Sequence, residues 1–423
     1  MTHRGSFTNR RSLNLSNPVV IYSLVWLGVL LLVSFRFTTN LLPLNASTLL
    51  LVLGNVASMG VIYFLLRGMT PKKEINKQGL DNSVGPLKVL IKRLLIVWVL
   101  GSLFEIIYSG GLPLWWAFSG VPEKNYTDFG LPTFHGLMNA LYLFSVTGLF
   151  FNFMVTRDRN TLRWSLLLLA WPVFMLGRGI VLCAVGQMAG VYFCLKRVSI
   201  KTGLVMVLAA IFLITVFGWT GDIRGRSTPF SYLVNTQRQS EVFEFLPSGF
   251  LWFYVYVTSP LANVINNIDH IQPSYVPYHS IINLVPSFGR ALIAPGLRAD
   301  SLELVDQSLN VSTFYAGFLS DFGLIGALLA VCILQITCVM IYFPAHDKRP
   351  WAVLAYAVVF ESILFSVFYN LFFLHTYIIQ VLLAFYFGVK EKRLRRRLEN
   401  SRSLTVLRHP VGGQPVKASG SSK

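Results

Sequence analysis

The sequence predicts an all-α protein that crosses a membrane about ten times, and three observations lead to this prediction. The 423 residues are 54% hydrophobic and only 13% charged, so the polar side chains are too few to cover a soluble body of this size. Apolar runs of the roughly 20 residues that a spanning helix needs recur from Pro18 to Lys390. The basic residues, which give a formal net charge of +18, lie in short segments between these runs. The charge therefore indicates membrane orientation and not nucleic-acid binding.

The predicted spans alternate between two kinds of connector. One kind is rich in lysine and arginine and, by the positive-inside rule, faces the cytoplasm. The other kind, at about 37–46, 108–132, 220–311 and 371–373, contains Lys124 as its single lysine and is predicted to face outward. Because the number of spans is even, both termini are predicted to be cytoplasmic. The predicted spans lie at about 18–36, 47–66, 88–107, 133–155, 161–177, 180–195, 202–219, 312–343, 351–370 and 374–389.

We interpret residues 1–400 as a single polytopic membrane domain with a large periplasmic loop at 220–311, which contains short interfacial helices. Within this loop, the aromatic run from Gly249 to Ile265 is nearly long enough to cross the membrane. A crossing there would move the basic cluster at 390–397 outside, against the strongest charge bias in the chain. We therefore predict a helix in the outer interface. The polar segment 401–423 is predicted to be a disordered cytoplasmic tail.

Arg178 lies at the turn of a predicted short hairpin. Only 32 residues separate Arg163 from Lys196, so each helix has about 16 residues, or roughly 24 Å, against a hydrocarbon core of about 30 Å. The turn, in which Arg178 is flanked by Gly177 and Gly179, is therefore expected within the outer leaflet. An ionisable group is costly there and indicates a functional role. The alternative is that Arg178 extends to the lipid headgroups.

The predicted outer loop keeps arginine and excludes lysine. From Thr220 to Val311 it contains five arginines, no lysine and seven acidic residues. Arginine binds phosphate through a planar fork that stays charged, so the headgroup of a polyprenyl diphosphate is the expected anion. The alternative is ion pairing with the acids of the loop, which would account for two of the five arginines. Arg238 is the fifth arginine, and the residues that we assign to diphosphate binding are Arg224, Arg226, Arg290 and Arg298.

The loop also contains a candidate general base. His279 is one of two histidines in the loop, and a neutral imidazole can take the proton of an attacking hydroxyl. A structural role for His279 is the alternative. His135, at the outer start of a span, and Glu241 or Asp222 are rival candidates for the base.

Several signals of other chemistry are absent from the sequence. It contains no GxxxxGK[ST] phosphate loop, no paired-carboxylate nucleotide-sugar motif in the cytoplasmic connectors and no HExxH metal helix. Nucleotide hydrolysis and transfer from a cytosolic sugar nucleotide are therefore not expected. The leaving group would have to be a molecule that is already in the membrane, and we predict neither a cofactor nor a metal.

Six different short motifs are distributed along most of the chain, at Ser109–Leu114, Phe129–Gly136, Gly177–Gly179, Thr258–Pro260, Asn310–Gly317 and Asp321–Gly326. Together with the arginine-bearing outer loop, this layout resembles the Wzy-type O-antigen and capsule repeat-unit polymerases, within the C-type glycosyltransferase class of membrane enzymes. Gly177 stands where related chains often have serine before the hairpin arginine. A hydroxyl role at that position is therefore not expected.

The resemblance implies a metal-independent, inverting transfer at the periplasmic face of a bacterial inner membrane. A growing glycan would leave its undecaprenyl diphosphate carrier and pass to the terminal sugar of an incoming carrier-linked repeat unit. The expected partners are these glycans, membrane lipids and, optionally, a regulator of chain length. An O-antigen ligase and a flippase or transporter of lipid-linked oligosaccharides are the alternatives. We expect His279 and Arg178 to be catalytic, and the residues expected to contact substrate are His135, Tyr278 and Tyr315.

Overall fold

The computed structural model describes most of the chain, and that part is all-helical. It describes residues 14–38, 41–69, 77–119, 124, 126–225, 248–286, 289–290, 292, 301–307 and 309–408. Helices account for 78% of the structure, and the described residues contain no strand, so the predicted all-α class is confirmed. The α-helices are, in chain order, α1 (Pro18–Ser34), α2 (Ala46–Arg67), α3 (Lys77–Ser109), α4 (Pro113–Ser119), α5 (Phe134–Thr156), α6 (Arg159–Leu168), α7 (Trp171–Phe174), α8 (Arg178–Leu195), α9 (Ile200–Gly225), α10 (Ser248–Asn267), α11 (Tyr278–Ile281), α12 (Tyr315–His346), α13 (Pro350–Leu364) and α14 (His375–Arg408).

In the part of the chain that the structure describes, four helices are long and apolar enough to cross a membrane: α2, α5, α12 and α13 with the 3₁₀ turn that follows it. In α5 and α13, 78% and 83% of the apolar window is buried, whereas α2 and α12 bury 22% and 33%. These two outer helices expose large apolar side chains such as Phe64 and Ile333. Such a surface is typical of a helical membrane protein. Within the described residues these four helices meet the requirement, so the predicted count of about ten spans is not confirmed.

The hairpin that carries Arg178 is less regular than the sequence pattern indicates. A span is predicted at 161–177, but α6 ends at Leu168 and a single turn, α7, follows it. Pro172 at the start of α7 and the left-handed backbone of Leu176 (φ 52°) interrupt the helix. Arg178 is the first residue of α8, so it lies at the turn of the hairpin as predicted. The ten residues of α6 are roughly 15 Å long, half the thickness of a hydrocarbon core.

The connectors that are predicted to face outward meet at one end of the helices. The backbone N–H of Phe37, after α1, donates to the Tyr254 hydroxyl at 3.0 Å. The side-chain amide of Asn45, before α2, donates to Asp269 at 2.7 Å. The first residue of α14, His375, lies next to the third residue of α5, Gly136. We call this the loop end of the protein, and it contains Phe37, Asn45, Ser109, His135 and His375.

The opposite end gathers connectors that carry basic residues. The hydroxyl of Tyr356, in the middle of α13, donates to the carbonyl of Ser16, just before α1, at 2.6 Å. Lys88, in the first half of α3, pairs with Asp158, which follows α5, at 3.4 Å. These contacts place Ser16, Lys88 and Asp158 away from the loop end, and the orientation that the charge pattern predicts stays a prediction.

Two further segments of the predicted layout can be located. Helix α10 contains the aromatic run of the outer loop and packs on α9, since Gly249 approaches the carbonyl of Ile214. Its placement in a membrane interface stays a prediction. Helix α14 continues to Arg408, so it extends into the segment that is predicted to be disordered, and residues 409–423 lie outside the described residues.

Candidate functional site

A carboxylate and an imidazole from two neighbouring helices form the centre of the loop end. Glu105 of α3 is 1% exposed, and its Oε1 and Oε2 atoms lie 3.1 and 3.3 Å from Nδ1 of His135 on α5. A carboxylate at Nδ1 favours the tautomer with a proton there, and Nε2 is then a hydrogen-bond acceptor. His135 is 28% exposed in its side chain, so one face of the imidazole reaches the surface of the site.

Glycines in the connector allow the backbone to approach this pair. Gly130 has a left-handed backbone (φ 83°), and an added Cβ would lie 2.5 Å from Oε1 of Glu105 and 3.0 Å from Nδ1 of His135. The N–H of Gly130 donates to the Ser109 hydroxyl at 2.8 Å, while the Ser109 carbonyl accepts from the ammonium of Lys124 at 2.6 Å. Through these two hydrogen bonds, Ser109 fixes Gly130 and Lys124 of the connector.

A chain of contacts connects this pair to the outer loop. An added Cβ at Gly136 would collide with the imidazole of His375, and Nδ1 of His375 lies 3.4 Å from the carbonyl of Asn283. The guanidinium of Arg290 donates to the Asn283 side chain at 3.3 Å and to the carbonyl of Val285 at 3.0 Å. The buried Nε2 of His375 has no hydrogen-bond partner within the described part of the chain. The loop end thus joins the backbone after His135, the imidazole of His375 and the guanidinium of Arg290 in one series of contacts.

His279 and Tyr278 belong to α11, which directly precedes the 3₁₀ turn that contains Asn283. The backbone N–H of His279 donates to Asp321 at 2.9 Å, and Tyr278 is 51% exposed. Both residues therefore lie on the same segment as Asn283 and Arg290. Tyr315 does not lie on this surface. It is 0% exposed, and its hydroxyl lies 2.7 Å from that of Tyr22. In this conformation the Tyr315 side chain contacts protein.

The remaining predicted arginines can be located only in part. Arg178 begins α8, three residues after Met175, which packs with Trp116 and Phe129 in a buried cluster, and the Phe129 ring lies 5.6 Å from that of His135. The side chain of Arg178 lies outside the described residues, so its distance to the carboxylate and imidazole pair is not fixed. Arg224 is in the last turn of α9, and its side chain, like Arg226, Arg238 and Arg298, lies outside the described residues.

A second group of polar side chains is buried deeper among the helices. Glu361 of α13 is 0% exposed; its Oε2 accepts from the amide of Gln187 at 2.9 Å and its Oε1 from the hydroxyl of Tyr377 at 2.7 Å. Gln187 accepts in turn from Thr147 at 2.7 Å. These contacts join α5, α8, α13 and α14. They hold the middle of α8 against the first turn of α14, which carries His375.

Sequence reasoning missed three of these residues as members of the site: Glu105, His375 and Asn283. A usable signal existed for Glu105, since it is a lone carboxylate within an apolar run, which indicates a functional role. The described residues contain no group of three side chains that could hold a metal ion. The prediction of metal-independent chemistry stays a prediction.

Comparison with known proteins assigns no family to this arrangement. No protein-family model matches the chain, and no curated protein or solved structure matches it. The function of the loop end must therefore be inferred from the chemistry of its own residues.

Proposed function

We propose that the protein is a membrane glycosyltransferase that joins undecaprenyl-diphosphate-linked oligosaccharide repeat units into a polysaccharide, and that its loop end is the active site. One observation supports the proposal most directly. His135, whose imidazole is bound by a carboxylate, is followed by Gly136, which contacts His375, and both His375 and the guanidinium of Arg290 contact Asn283. A base and an anion-binding cation are the two groups that this transfer needs.

In the proposed reaction, a hydroxyl of the acceptor sugar attacks the anomeric carbon that attaches the growing glycan to its diphosphate. A carbon–oxygen bond forms on one face while the bond to the diphosphate oxygen breaks on the other, so the configuration inverts. The hydroxyl proton passes to Nε2 of His135, and the electron pair of the broken bond leaves with the carrier diphosphate. Glu105 keeps the Nδ1 proton in place and stabilises the imidazolium that forms.

The arginines supply the electrostatic part of the proposal. Negative charge develops on the departing diphosphate, and positioned guanidinium groups stabilise it where water is excluded. Arg290 is held by Val285 and Asn283 beside His375. Arg178 at the start of α8 and Arg224 at the end of α9 are proposed to join it. His135 replaces His279 as the preferred base because its imidazole has a buried carboxylate partner. His279 stays the alternative.

The proposal requires an orientation in the membrane. We propose about ten spans in a bacterial inner membrane, with both termini in the cytoplasm and the loop end in the periplasm. The short α6 and α8 hairpin would reach into the bilayer from the cytoplasmic side. A reporter fused after Asp269 tests this orientation. Activity of a periplasmic reporter at that site is expected, and activity of a cytoplasmic reporter alone would contradict it.

The decisive experiment gives purified full-length protein a synthetic diphosphate-linked repeat unit, without added metal or nucleotide. A ladder of polymer is expected from the natural chain, and the His135→Ala variant should form it about 10²–10⁴-fold more slowly. Failure to form a ladder with several repeat units, together with demonstrated translocation of the lipid, would overturn the enzyme proposal in favour of a transporter. Transfer only to a lipid A core acceptor would indicate a ligase.

A further inference from the structure

A buried carboxylate of α12 holds the turn of the outer loop that contains α11. Asp321 is 0% exposed, and each of its oxygens accepts one backbone N–H: Oδ1 from His279 at 2.9 Å and Oδ2 from Ser280 at 2.7 Å. Helix α11 is preceded by Pro277, whose side chain does not cap it. The free N–H groups at a helix start need an acceptor, and Asp321 provides it from a different helix.

The same helix binds the preceding residues of the turn through its own backbone. Gly323 interrupts α12 with φ 65° and ψ −170°, a conformation that is essentially restricted to glycine. In a continuous helix, the carbonyls of Ser320 and Asp321 would accept from residues 324 and 325. At the interruption they accept instead from the N–H groups of Ser274 and Tyr275, at 3.0 and 2.7 Å. The turn is therefore fixed to α12 by four backbone N–H groups.

Although its backbone is fixed, the turn displays aromatic rings. Tyr275 is 77% exposed and Tyr278 is 51% exposed. Tyr275 also has a left-handed backbone with φ 56°, which is a strained conformation for a bulky residue. Strain of this kind persists only where the surrounding structure imposes it, and it is concentrated at ligand sites. The fixed backbone therefore presents two accessible aromatic side chains.

We propose that Tyr275 and Tyr278 form a stacking platform for a sugar ring, and that Asp321 is the positioning residue that holds the platform. The apolar C–H face of a sugar packs on an aromatic face, and the tyrosine hydroxyl remains available to sugar hydroxyls. The segment continues into Asn283 and Arg290, so the platform leads towards the loop-end contacts. The inference rests on the proposed function only in taking a glycan as the ligand.

The test measures binding, without polymerisation. The probe is the reducing oligosaccharide that mild acid releases from the lipid-linked pool of cells that make this protein, which carries neither diphosphate nor lipid. Saturation-transfer NMR with detergent-solubilised full-length protein is expected to show contact between the probe and tyrosine rings.

The double variant Tyr275→Ala with Tyr278→Ala should bind about tenfold more weakly. The matching double phenylalanine variant should bind within about threefold of the natural chain, because the rings remain. Tyr386→Ala, an exposed tyrosine of α14, is the control and should bind normally.

Asp321 is tested in the same assay. Asp321→Ala removes both acceptors and should weaken binding about as much as loss of the rings, whereas Asp321→Asn keeps one acceptor oxygen and should weaken it less. Equal binding by all variants would overturn the platform, and so would the absence of contact with the natural chain. In nanodiscs, strong quenching of Tyr275 and Tyr278 by a lipid labelled near its headgroup would make them membrane anchors and also overturn it.

The outcomes separate the platform from the proposed function. A protein that binds the released oligosaccharide through these tyrosines, yet makes no polymer ladder, would retain the platform and lose the polymerase assignment. A normal ladder from the double alanine variant, with unchanged apparent KM for the repeat unit, would overturn the platform alone.

Discussion

Nδ1 of His135 lies 3.1 Å from Oε1 of Glu105, and the two residues come from helices that run antiparallel at the loop end. The glutamate is 1% exposed, whereas the imidazole keeps an accessible face. A buried carboxylate that orients a partly exposed imidazole has a defined chemical use, because it fixes the tautomer and stabilises the protonated ring. The pair can therefore take a proton from a hydroxyl that approaches Nε2.

Removal of the imidazole should remove most of the activity. General base catalysis contributes about 10²–10⁴-fold, so His135→Ala is expected to lower the rate of polymer formation by that amount. Glu105→Gln should lower it less, because an amide oxygen can still accept from Nδ1 but carries no charge to stabilise the imidazolium. Initial rates with a synthetic repeat unit measure both effects. His270→Ala, at an exposed histidine after α10, is the control, and a loss equal to that of His135→Ala would contradict the assignment.

The close approach of α5 and α14 predicts a steric effect. An added methyl group at Gly136 would collide with His375, so Gly136→Ala should displace the imidazole and cost about 1–3 kcal/mol of stability. In α2, Gly60→Ala meets nothing within 4 Å and should be neutral or stabilise the helix by up to about 1 kcal/mol. Apparent unfolding temperatures in detergent compare the two variants. Equal temperatures would show that α14 can move away without cost.

The arginines proposed to bind diphosphate should respond to the shape of the side chain as well as to its charge. Arg178→Ala and Arg224→Ala are expected to lower the rate of polymer formation by about 10²–10³-fold each, while the protein stays inserted in the membrane. Lysine at either position should restore only part of the rate, because an ammonium lacks the planar fork. Arg163→Ala on α6 serves as the control. Full activity of both alanine variants would contradict the proposed role of Arg178 and Arg224 in binding diphosphate.

The sequence could predict the two ends of the protein because charge and apolar length are local properties. The lysine-poor connectors do meet at one end, with Phe37 on Tyr254 and Asn45 on Asp269. It could not predict which polar residues face each other. Glu105 and His135 are 30 residues apart, and their contact depends on the register of α3 against α5. No pattern within a single helix encodes that register.

Tyr315 shows the same limit, because the sequence gives the type of a residue but not the position of its side chain in the fold. An aromatic residue in a motif near a loop is compatible with substrate binding, but its ring packs 4.6 Å from that of Trp26 on α1. The break between α6 and α7 was more accessible to prediction, since Pro172 is visible in the sequence. The hydrophobic run around it predicts a continuous span. The proline between two short apolar runs ends the helix all the same.

Asparagines of α10 hold the end of the outer loop and predict its sensitivity to protease. The Asn263 side chain donates to the carbonyls of Leu309 and Val311 at 2.8 and 3.0 Å and accepts from Val305 at 2.9 Å. Each bond contributes about 1 kcal/mol, so Asn263→Ala should speed cleavage within 301–311 at least about tenfold. Asn266 makes one bond of 3.4 Å there, so its alanine variant is the control. Equal cleavage rates for the two variants would exclude a clamp at Asn263.

The buried network around Glu361 predicts a contrast between two substitutions. Glu361→Ala leaves the Gln187 amide without its acceptor and the Tyr377 hydroxyl with only the weak acceptor Sγ of Cys183. A buried unpaired donor costs about 1–3 kcal/mol, so the apparent unfolding temperature should fall by several degrees. In Glu361→Gln, the new amide oxygen accepts from Tyr377. When the side-chain amide of Gln187 rotates by half a turn, its oxygen accepts from the new N–H of residue 361. Its NH₂ group then donates to the Thr147 hydroxyl, which can accept as well as donate. This variant should therefore unfold within a few degrees of the natural chain. Glu303→Ala, at an exposed glutamate, is the control. If glutamine destabilised as much as alanine, the negative charge, and not the hydrogen-bond geometry, would be what holds α8 and α14 together.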